Sequence, residues 1–310
     1  MKHSVFYLIA LPFIWTALAP DIAHACACGC GVFDVGTSGM LPSGAGGMVF
    51  LDYGFQDQDH NRSGSSPAPA DSNSDKDIRT NFVTLGLQYM FSRSWGIQAT
   101  VPYWYRHFET QMGMSDAVSV HYSGLGDIRI RGVYTGFSKD LSTGVTFGVK
   151  LPTGSFTQDS NVVDRDTQIG SGSTDILLGG FYRHALTADH SWSWFVQAQL
   201  DQPILSQDGY DPGDEFDESA GIHYNRLSLG SLQIKPLAQI IASQRSEDSG
   251  PNASGMMGSG YKRVLLSPGV EFHFHSVKLY TDVELPVYQY MNGNQLAAPV
   301  LVKVLLSSSF

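Results

Sequence analysis

The stretch YSGLGDIRIRGVYTGFSKDLSTGVTFGVKLPTGSF, residues 122–156, contains two segments in which apolar and polar side chains alternate. In the first segment Ile128 and Ile130 alternate with Arg129 and Arg131, and the second repeats the pattern after a short polar turn. A period of two residues predicts a β-strand with one apolar and one polar face. We therefore expect a β-hairpin here, of a kind that both soluble sheets and membrane barrels contain.

The same alternation recurs along most of the chain, between connections that are alternately long and short. Further candidate strands cover residues 48–56, 78–91, 95–109, 173–184, 192–204, 221–229, 232–243, 264–275, 277–290 and 298–310. Together with the hairpin they make about twelve strands, and an even number is typical of single-chain bacterial barrels. The sequence thus predicts an all-β fold, an antiparallel up-and-down transmembrane β-barrel with a lipid-facing exterior and a polar lumen.

Two regions fit this pattern less well. The faces of segment 221–229 cannot be assigned, because its alternation is poor. The preceding stretch 208–218 is strongly acidic but lacks the ligand spacing of an EF-hand. We expect it to be a solvated acidic loop.

The N-terminus has the features of an export signal. Lys2 precedes an apolar run at 5–18, and Ala-His-Ala matches a small-residue cleavage site. We expect a signal peptide at 1–25, a Cys-rich periplasmic tail at 26–47 and an outer-membrane barrel at 48–310. The expected location is therefore the outer membrane of a bacterial cell.

The composition narrows the class of partner. The formal net charge of −10 argues against a nucleic-acid partner, because phosphate binding requires a basic face. With 15% charged residues and a mean hydropathy of −0.09, the chain is too polar for a helical membrane protein. The expected partners are outer-membrane lipid and a small-molecule solute. Phe310 ends an amphipathic strand, which predicts recognition by the barrel-assembly machinery.

All three cysteines lie in one short segment, at Cys26, Cys28 and Cys30. They could bind a soft metal ion, carry a lipid, oxidise, or belong to a tail without chemistry of its own. No Cys-x-x-Cys-His sequence is present, so covalent haem attachment is not expected. We expect no cofactor, and the tail could dock a periplasmic partner.

Three short motifs carry a family resemblance. They are Gly-Leu-Gly-Asp at 124–127, Leu-Pro-Thr-Gly at 151–154 and Gly-Ser-Gly-Ser-Thr-Asp at 170–175. They resemble the outer-membrane transporter family of the MetA pathway of phenol degradation. The resemblance is sharpest over the middle third of the chain, and it implies a barrel for uptake of aromatic or other hydrophobic compounds. It transfers no catalytic residue.

The parity of the strands predicts which charged side chains face the lumen. The candidate channel-lining residues are Arg106, Asp127, Arg129, Arg131, Lys150, Asp175, Arg183, Asp201, Glu271, Lys278, Asp282 and Glu284. Asp52, Lys235, His273 and Lys303 have the same parity. Such charges either line a water path or pair and fill the lumen, because unpaired charge away from water is costly.

A basic ladder of Arg129, Arg131 and Lys150 is the candidate constriction. Asp127 and Asp175 are its expected counter-charges, because they lie close to it on the hairpin and on the next strand.

The leading functional hypothesis is a channel that passes small solutes by passive diffusion. A non-conducting scaffold for a partner docked through the Cys-rich tail is the alternative. A lipid hydrolase is a weaker one: His121 and Ser123 have suitable spacing, but no orienting third residue can be named. We therefore expect a protein that is not an enzyme.

Overall fold

The computed structural model describes residues 44–111, 116–158, 162–253 and 258–310. Strands dominate the fold, and two single-turn 3-10 helices lie at Ala70–Ser72 and Arg165–Thr167. The strands are β1 Gly46–Gln58, β2 His60–Gly64, β3 Ser66–Pro67, β4 Asp75–Met90, β5 Trp95–Thr110, β6 Val118–Leu125, β7 Ile128–Tyr134, β8 Thr143–Leu151, β9 Ser173–Ala185, β10 Trp192–Ser206, β11 Glu215–Tyr224, β12 Leu227–Leu229, β13 Leu232–Arg245, β14 Tyr261–Phe274, β15 Val277–Ala297 and β16 Leu301–Ser309. Within the described residues, no helix is long and apolar enough to cross a membrane.

The sheet closes on itself, because β1 pairs with β4 on one edge and with β16 on the other. Strands β6 and β7 together occupy one position in the wall, β12 continues β11, and β2 and β3 form a side hairpin. The described residues therefore form a closed antiparallel barrel of 12 strands. The predicted fold class is confirmed.

The barrel is apolar outside and polar inside, as a membrane-spanning barrel requires. On β4, Leu85, Leu87 and Tyr89 are 54%, 49% and 47% exposed, whereas Gln88 is 6% exposed and faces the lumen. Outward aromatic residues lie toward both ends. The rings of Trp95 and Tyr134 are 4.6 Å apart at one end, and Tyr103 and Tyr105 lie toward the other. Aromatic girdles of this kind mark the two interfaces of an outer-membrane barrel.

The two ends differ in their connections. Short turns such as 91–94, 186–191 and 275–276 lie at the end where β1 begins and β16 finishes; we call it the short-turn end. Most connections at the opposite, long-loop end are longer, among them 152–172 and 246–260. In bacterial barrels the short turns face the periplasm.

The structure corrects several strand boundaries. β11 begins at Glu215, so the end of the acidic stretch is strand and not solvated loop. Its inward residue Asp217 is 5% exposed and accepts a hydrogen bond from Ser243 Oγ. The apolar alternation is weak here because the outward positions of β11 include Glu218 and Ala220 between Phe216 and Ile222.

Two further boundaries differ near the C-terminus. β15 continues to Ala297, because its last residues, 291–297, pair with β2. β16 begins at Leu301, so the predicted start at 298 was wrong.

The expected hairpin at 122–156 is present but interrupted. Its first strand breaks at Gly126 and Asp127, which separate β6 from β7. Beyond the break β7 pairs with β8, whereas β6 pairs only with β5 among the described strands. On the inner side of β6, Tyr122 Oη donates to Thr167 O of the connection 152–172, and the Tyr122 side chain packs in one cluster with Ile169.

Candidate functional site

The middle of the lumen holds a cavity of about 200 Å³ that extends toward the long-loop end. Its wall combines aromatic, amide and charged side chains. Representative lining residues are Trp104, Arg129, Lys150, Phe181, Gln199 and Asp201.

The predicted basic ladder lies on this wall, and two of its three charges form ion pairs. Arg129 and Lys150 are direct cross-strand neighbours. Arg129 Nη2 lies 3.2 Å from Asp201 Oδ2, and Lys150 forms an ion pair with Asp175. Asp175 was one of the two predicted counter-charges of the ladder. Asp201 was not predicted for this role; it lies on β10, and strand pairing brings it next to Arg129.

A further ion pair joins two strands of the closing seam. Lys303 Nζ lies 3.6 Å from Asp52 Oδ2, and both side chains are less than 10% exposed. Buried charges of this kind require partners, because an unpaired ion in a low-dielectric interior is costly. The ion pairs let the lumen contain charge without strong net repulsion.

Asp127 has a different role from a simple counter-charge. Its Oδ1 accepts a hydrogen bond from Gly154 N at 2.9 Å. Its Oδ2 accepts bonds from Ser171 N at 2.8 Å and Ser171 Oγ at 2.6 Å. The carboxylate therefore fastens both ends of the connection 152–172 to the break between β6 and β7.

Further backbone contacts complete this arrangement. Thr153 Oγ1 donates to Gly126 O and accepts from Ile128 N, each at 2.9 Å. Gly154 and Gly170 touch so closely that a Cβ on Gly170 would overlap the Gly154 carbonyl. The three sequence motifs at 124–127, 151–154 and 170–175 thus meet at one point in space. This explains why glycine, threonine and aspartate occur together in them.

The connection 152–172, which we call the inward loop, folds into the barrel. Val163 and Ile169 are buried in a cluster that includes Phe108 on the wall. Thr167 O accepts hydrogen bonds from Arg106 and from Tyr122 Oη. The inward loop therefore narrows the lumen on its long-loop half.

Arg106 connects the inward loop to the barrel wall. The side chain is 0% exposed, and its Nε donates to Thr80 Oγ1 at 2.9 Å. Arg106 thus holds the inward loop against the wall, and it does not line the mid-lumen cavity.

Arg165 links the inward loop to the neighbouring connection 207–214. Its guanidinium lies over Phe156 at 4.6 Å and over Tyr210 at 4.3 Å, and it donates to Ser171 O at 2.7 Å. Burial lowers the pKa of Arg165. Tyr210 Oη donates in turn to Asp248 Oδ2 at 2.7 Å. The long loops therefore lock together across the mouth of the cavity.

The predicted channel-lining residues separate into groups. Asp127, Arg129, Arg131, Lys150, Asp175 and Asp201 lie on the mid-lumen cavity. Arg183, Glu271 and Lys278 lie on a second cavity at the short-turn end, together with Lys235 and His273. Asp282 and Glu284 are buried on β15 outside both cavities. Asp282 accepts hydrogen bonds from Tyr280 Oη at 2.6 Å and from Gln239 Nε2 at 3.1 Å.

Sequence reasoning missed the parts of the site that depend on the inward loop. Thr167, Ile169 and Tyr210 come from loops that carry no alternation. Their only sequence signal was the glycine-rich motifs at both ends of the inward loop.

In the structure, His121 and Ser123, the two residues considered for a lipid hydrolase, contact other side chains. Ser123 Oγ and Tyr103 Oη are 2.9 Å apart, and the His121 ring lies 4.5 Å from the ring of His107. These contacts do not assemble a nucleophile with its base.

The three cysteines lie outside the described residues, as do the signal peptide and most of the predicted tail. Their interpretations stay predictions. Within the part of the chain that the structure covers, no group of three or more His, Cys, Asp or Glu side chains could hold a metal ion.

Comparison with solved structures supports the architecture. The COG4313 outer membrane channel from Pseudomonas putida F1 aligns with a TM-score of 0.66 and 11% identity, over 89% of this chain and 100% of that one. The β-domain of the Bordetella autotransporter Brka aligns with a TM-score of 0.53 and 15% identity, over 86% of this chain and 100% of that one. At these identities the likeness shows the fold alone.

Comparison with curated proteins gives no match. The profile of the family described as "Putative MetA-pathway of phenol degradation" matches residues 57–298, which include all three motifs that meet at Asp127. The chain therefore belongs to this family.

Proposed function

We propose that the protein is an outer-membrane channel through which small aromatic or hydrophobic solutes diffuse passively. The observation that carries the proposal is the mid-lumen cavity, where an aromatic wall lies beside paired charges under the inward loop. Trp104, Phe181 and Ile169 supply the apolar surface. A solute can contact this surface without displacing a charge from its partner.

The size of the cavity supports a small solute. A protein cavity of about 150 Å³ holds benzene, and the mid-lumen cavity measures about 200 Å³. A single aromatic ring with one or two polar substituents fits this space. The paired charges and amides can bond to a phenolic hydroxyl as it passes.

The comparisons are consistent with this proposal. The family description refers to phenol degradation, and the similar structure from Pseudomonas putida is an outer membrane channel. In the same proposal residues 1–25 direct export, and Cys26, Cys28 and Cys30 lie in a periplasmic tail.

The channel is tested by planar-bilayer conductance of wild type and Asp127→Ala. The substitution removes three hydrogen bonds to a charged group, each contributing about 1.5–3 kcal/mol, and frees both ends of the inward loop. We expect a small conductance for wild type and a larger one for Asp127→Ala. Asp211→Ala, an exposed carboxylate of a long loop, is the matched control and should behave as wild type.

Two results would contradict the proposal. If neither wild type nor Asp127→Ala conducts, passive diffusion is wrong and the scaffold alternative is favoured. The solute class is tested separately, by uptake of radiolabelled phenol into porin-deficient cells that express the protein. Uptake equal to that of cells lacking the protein would exclude this class.

A further inference from the structure

A second cavity, of about 370 Å³, lies at the short-turn end. We call it the vestibule. Its charged wall comes from five strands, β9, β11, β13, β14 and β15, that the barrel brings together. The residues are Arg183, His223, Lys235, Glu271, His273 and Lys278. Lys235 faces Glu271 across β13 and β14, and His273 faces Lys278 across β14 and β15.

The vestibule reverses the charge balance of the chain. The whole sequence has 29 acidic and 19 basic residues. The vestibule has three Lys or Arg side chains and two carboxylates, Glu271 and Asp140. Histidines add further positive charge when protonated.

Both carboxylates of the vestibule have hydrogen-bond partners besides the lysines, although Glu271 also attracts Lys235 and Lys278 electrostatically. Glu271 Oε2 lies 2.7 Å from His273 Nε2. Hydrogen bonds from Ser142 and Ser138 lower the pKa of Asp140 to about 2. Among the described residues, Lys235 and Lys278 form no ion pair within 4.0 Å. The two ammonium groups are thus placed to accept an anion from solution.

An aromatic surface adjoins these cations. Phe195 faces the vestibule from β10, and its ring lies 5.1 Å from the ring of His223. A ligand that matches both features has a flat apolar body and one negative group. At neutral pH an aromatic carboxylic acid is ionised, whereas a phenol, with a pKa of about 10, is neutral.

We propose that the vestibule is a binding site for a small aromatic carboxylate. The carboxylate bonds to Lys235 and Lys278, and the ring lies against Phe195 and His223. This proposal adds to the proposed function an anionic class of solute, bound at one mouth of the channel. It rests on that function only for the route by which the ligand crosses the barrel. Binding itself does not require conduction.

The test is binding of benzoate to the purified full-length protein in detergent, measured by calorimetry. Benzyl alcohol, which lacks the charge, and acetate, which lacks the ring, are the comparison probes. We expect benzoate to bind best. The double substitution Lys235→Gln with Lys278→Gln should weaken benzoate binding by about tenfold or more, because it removes two charge-assisted bonds.

The control is the double substitution Lys76→Gln with Lys262→Gln, which removes the same charge at the long-loop end and should leave benzoate binding unchanged. Heat-dependent migration on SDS gels verifies that each variant is a folded barrel. Equal benzoate affinity in wild type and Lys235→Gln with Lys278→Gln would overturn the proposal. So would acetate binding as strong as benzoate, because the ring would then contribute nothing.

Failure of this site and failure of the channel are distinguishable. Benzoate binding without conductance would support the vestibule and contradict the channel. Conductance without benzoate binding would do the reverse.

Discussion

At the scale of single residues, the buried charges of the lumen are stabilised by ion pairs. Lys150 and Asp175 form an ion pair in which both side chains are at most 10% exposed. Removing one partner of a buried pair leaves an uncompensated charge and costs about 3–5 kcal/mol. Replacing both by apolar residues of similar volume can be close to neutral.

We therefore expect Lys150→Met to lower the free energy of unfolding in urea by about 3–5 kcal/mol. Adding Asp175→Leu should restore most of this loss. A double-mutant cycle in detergent micelles measures the coupling between the two residues. Equal destabilisation in the single and double variants would show that the pair is not energetically coupled.

Strand parity was enough to place Arg129, Lys150 and Asp175 inside the barrel. It could not assign Asp201 to Arg129, because the two residues are 72 positions apart and meet only through the register of several strands. The sequence also suggested Asp127 as a charge of the ladder. Its actual partners are backbone and hydroxyl groups of the inward loop, which no periodicity predicts.

At the scale of elements, the inward loop is the feature that makes this barrel different from an open cylinder. Its position depends on the close approach of Gly154 and Gly170, where backbone touches backbone. Neither segment can move away without breaking its bonds to Asp127 or Ser155.

We expect Gly170→Ala to displace the inward loop while the barrel stays folded. The displacement should increase single-channel conductance and expose the loop to limited proteolysis. Gly44→Ala is a suitable control, since a Cβ there has no neighbour within 4 Å. Unchanged conductance and proteolysis in Gly170→Ala would show that the two glycines do not position the loop.

Strands with a regular apolar face, such as β4 and β5, were predictable within a few residues because apolar side chains recur at consecutive outward positions, from Val83 to Tyr89 on β4. β11 was not, since its outward face is interrupted by Glu218 and Ala220. The end of β15 was missed for another reason. It is held by β2, and residues 60–67 of the side hairpin show no alternation of polar and apolar side chains.

At the scale of the whole molecule, the barrel closes where the two terminal strands meet. Met48 pairs with Ser309, and Phe310 N donates to Gly47 O at 2.9 Å. The Phe310 ring lies over Gly47, yet 71% of the residue is exposed. So exposed a side chain contributes little burial to stability, and its recognition by the assembly machinery stays a prediction.

We therefore expect deletion of Phe310 to separate assembly from stability. In cells, the amount of folded protein in the outer membrane should fall several-fold, measured by heat-dependent migration on SDS gels. The purified variant, refolded in detergent, should unfold within about 1 kcal/mol of wild type, because most of the pairing between β1 and β16 remains. A matched control is Ser308→Ala, which retains the terminal ring. If the deletion lowered the free energy of unfolding of the purified protein by several kcal/mol, that loss of stability would explain the lower yield in cells. Phe310 would then be a structural residue of the closing seam, and the predicted recognition by the assembly machinery would be wrong.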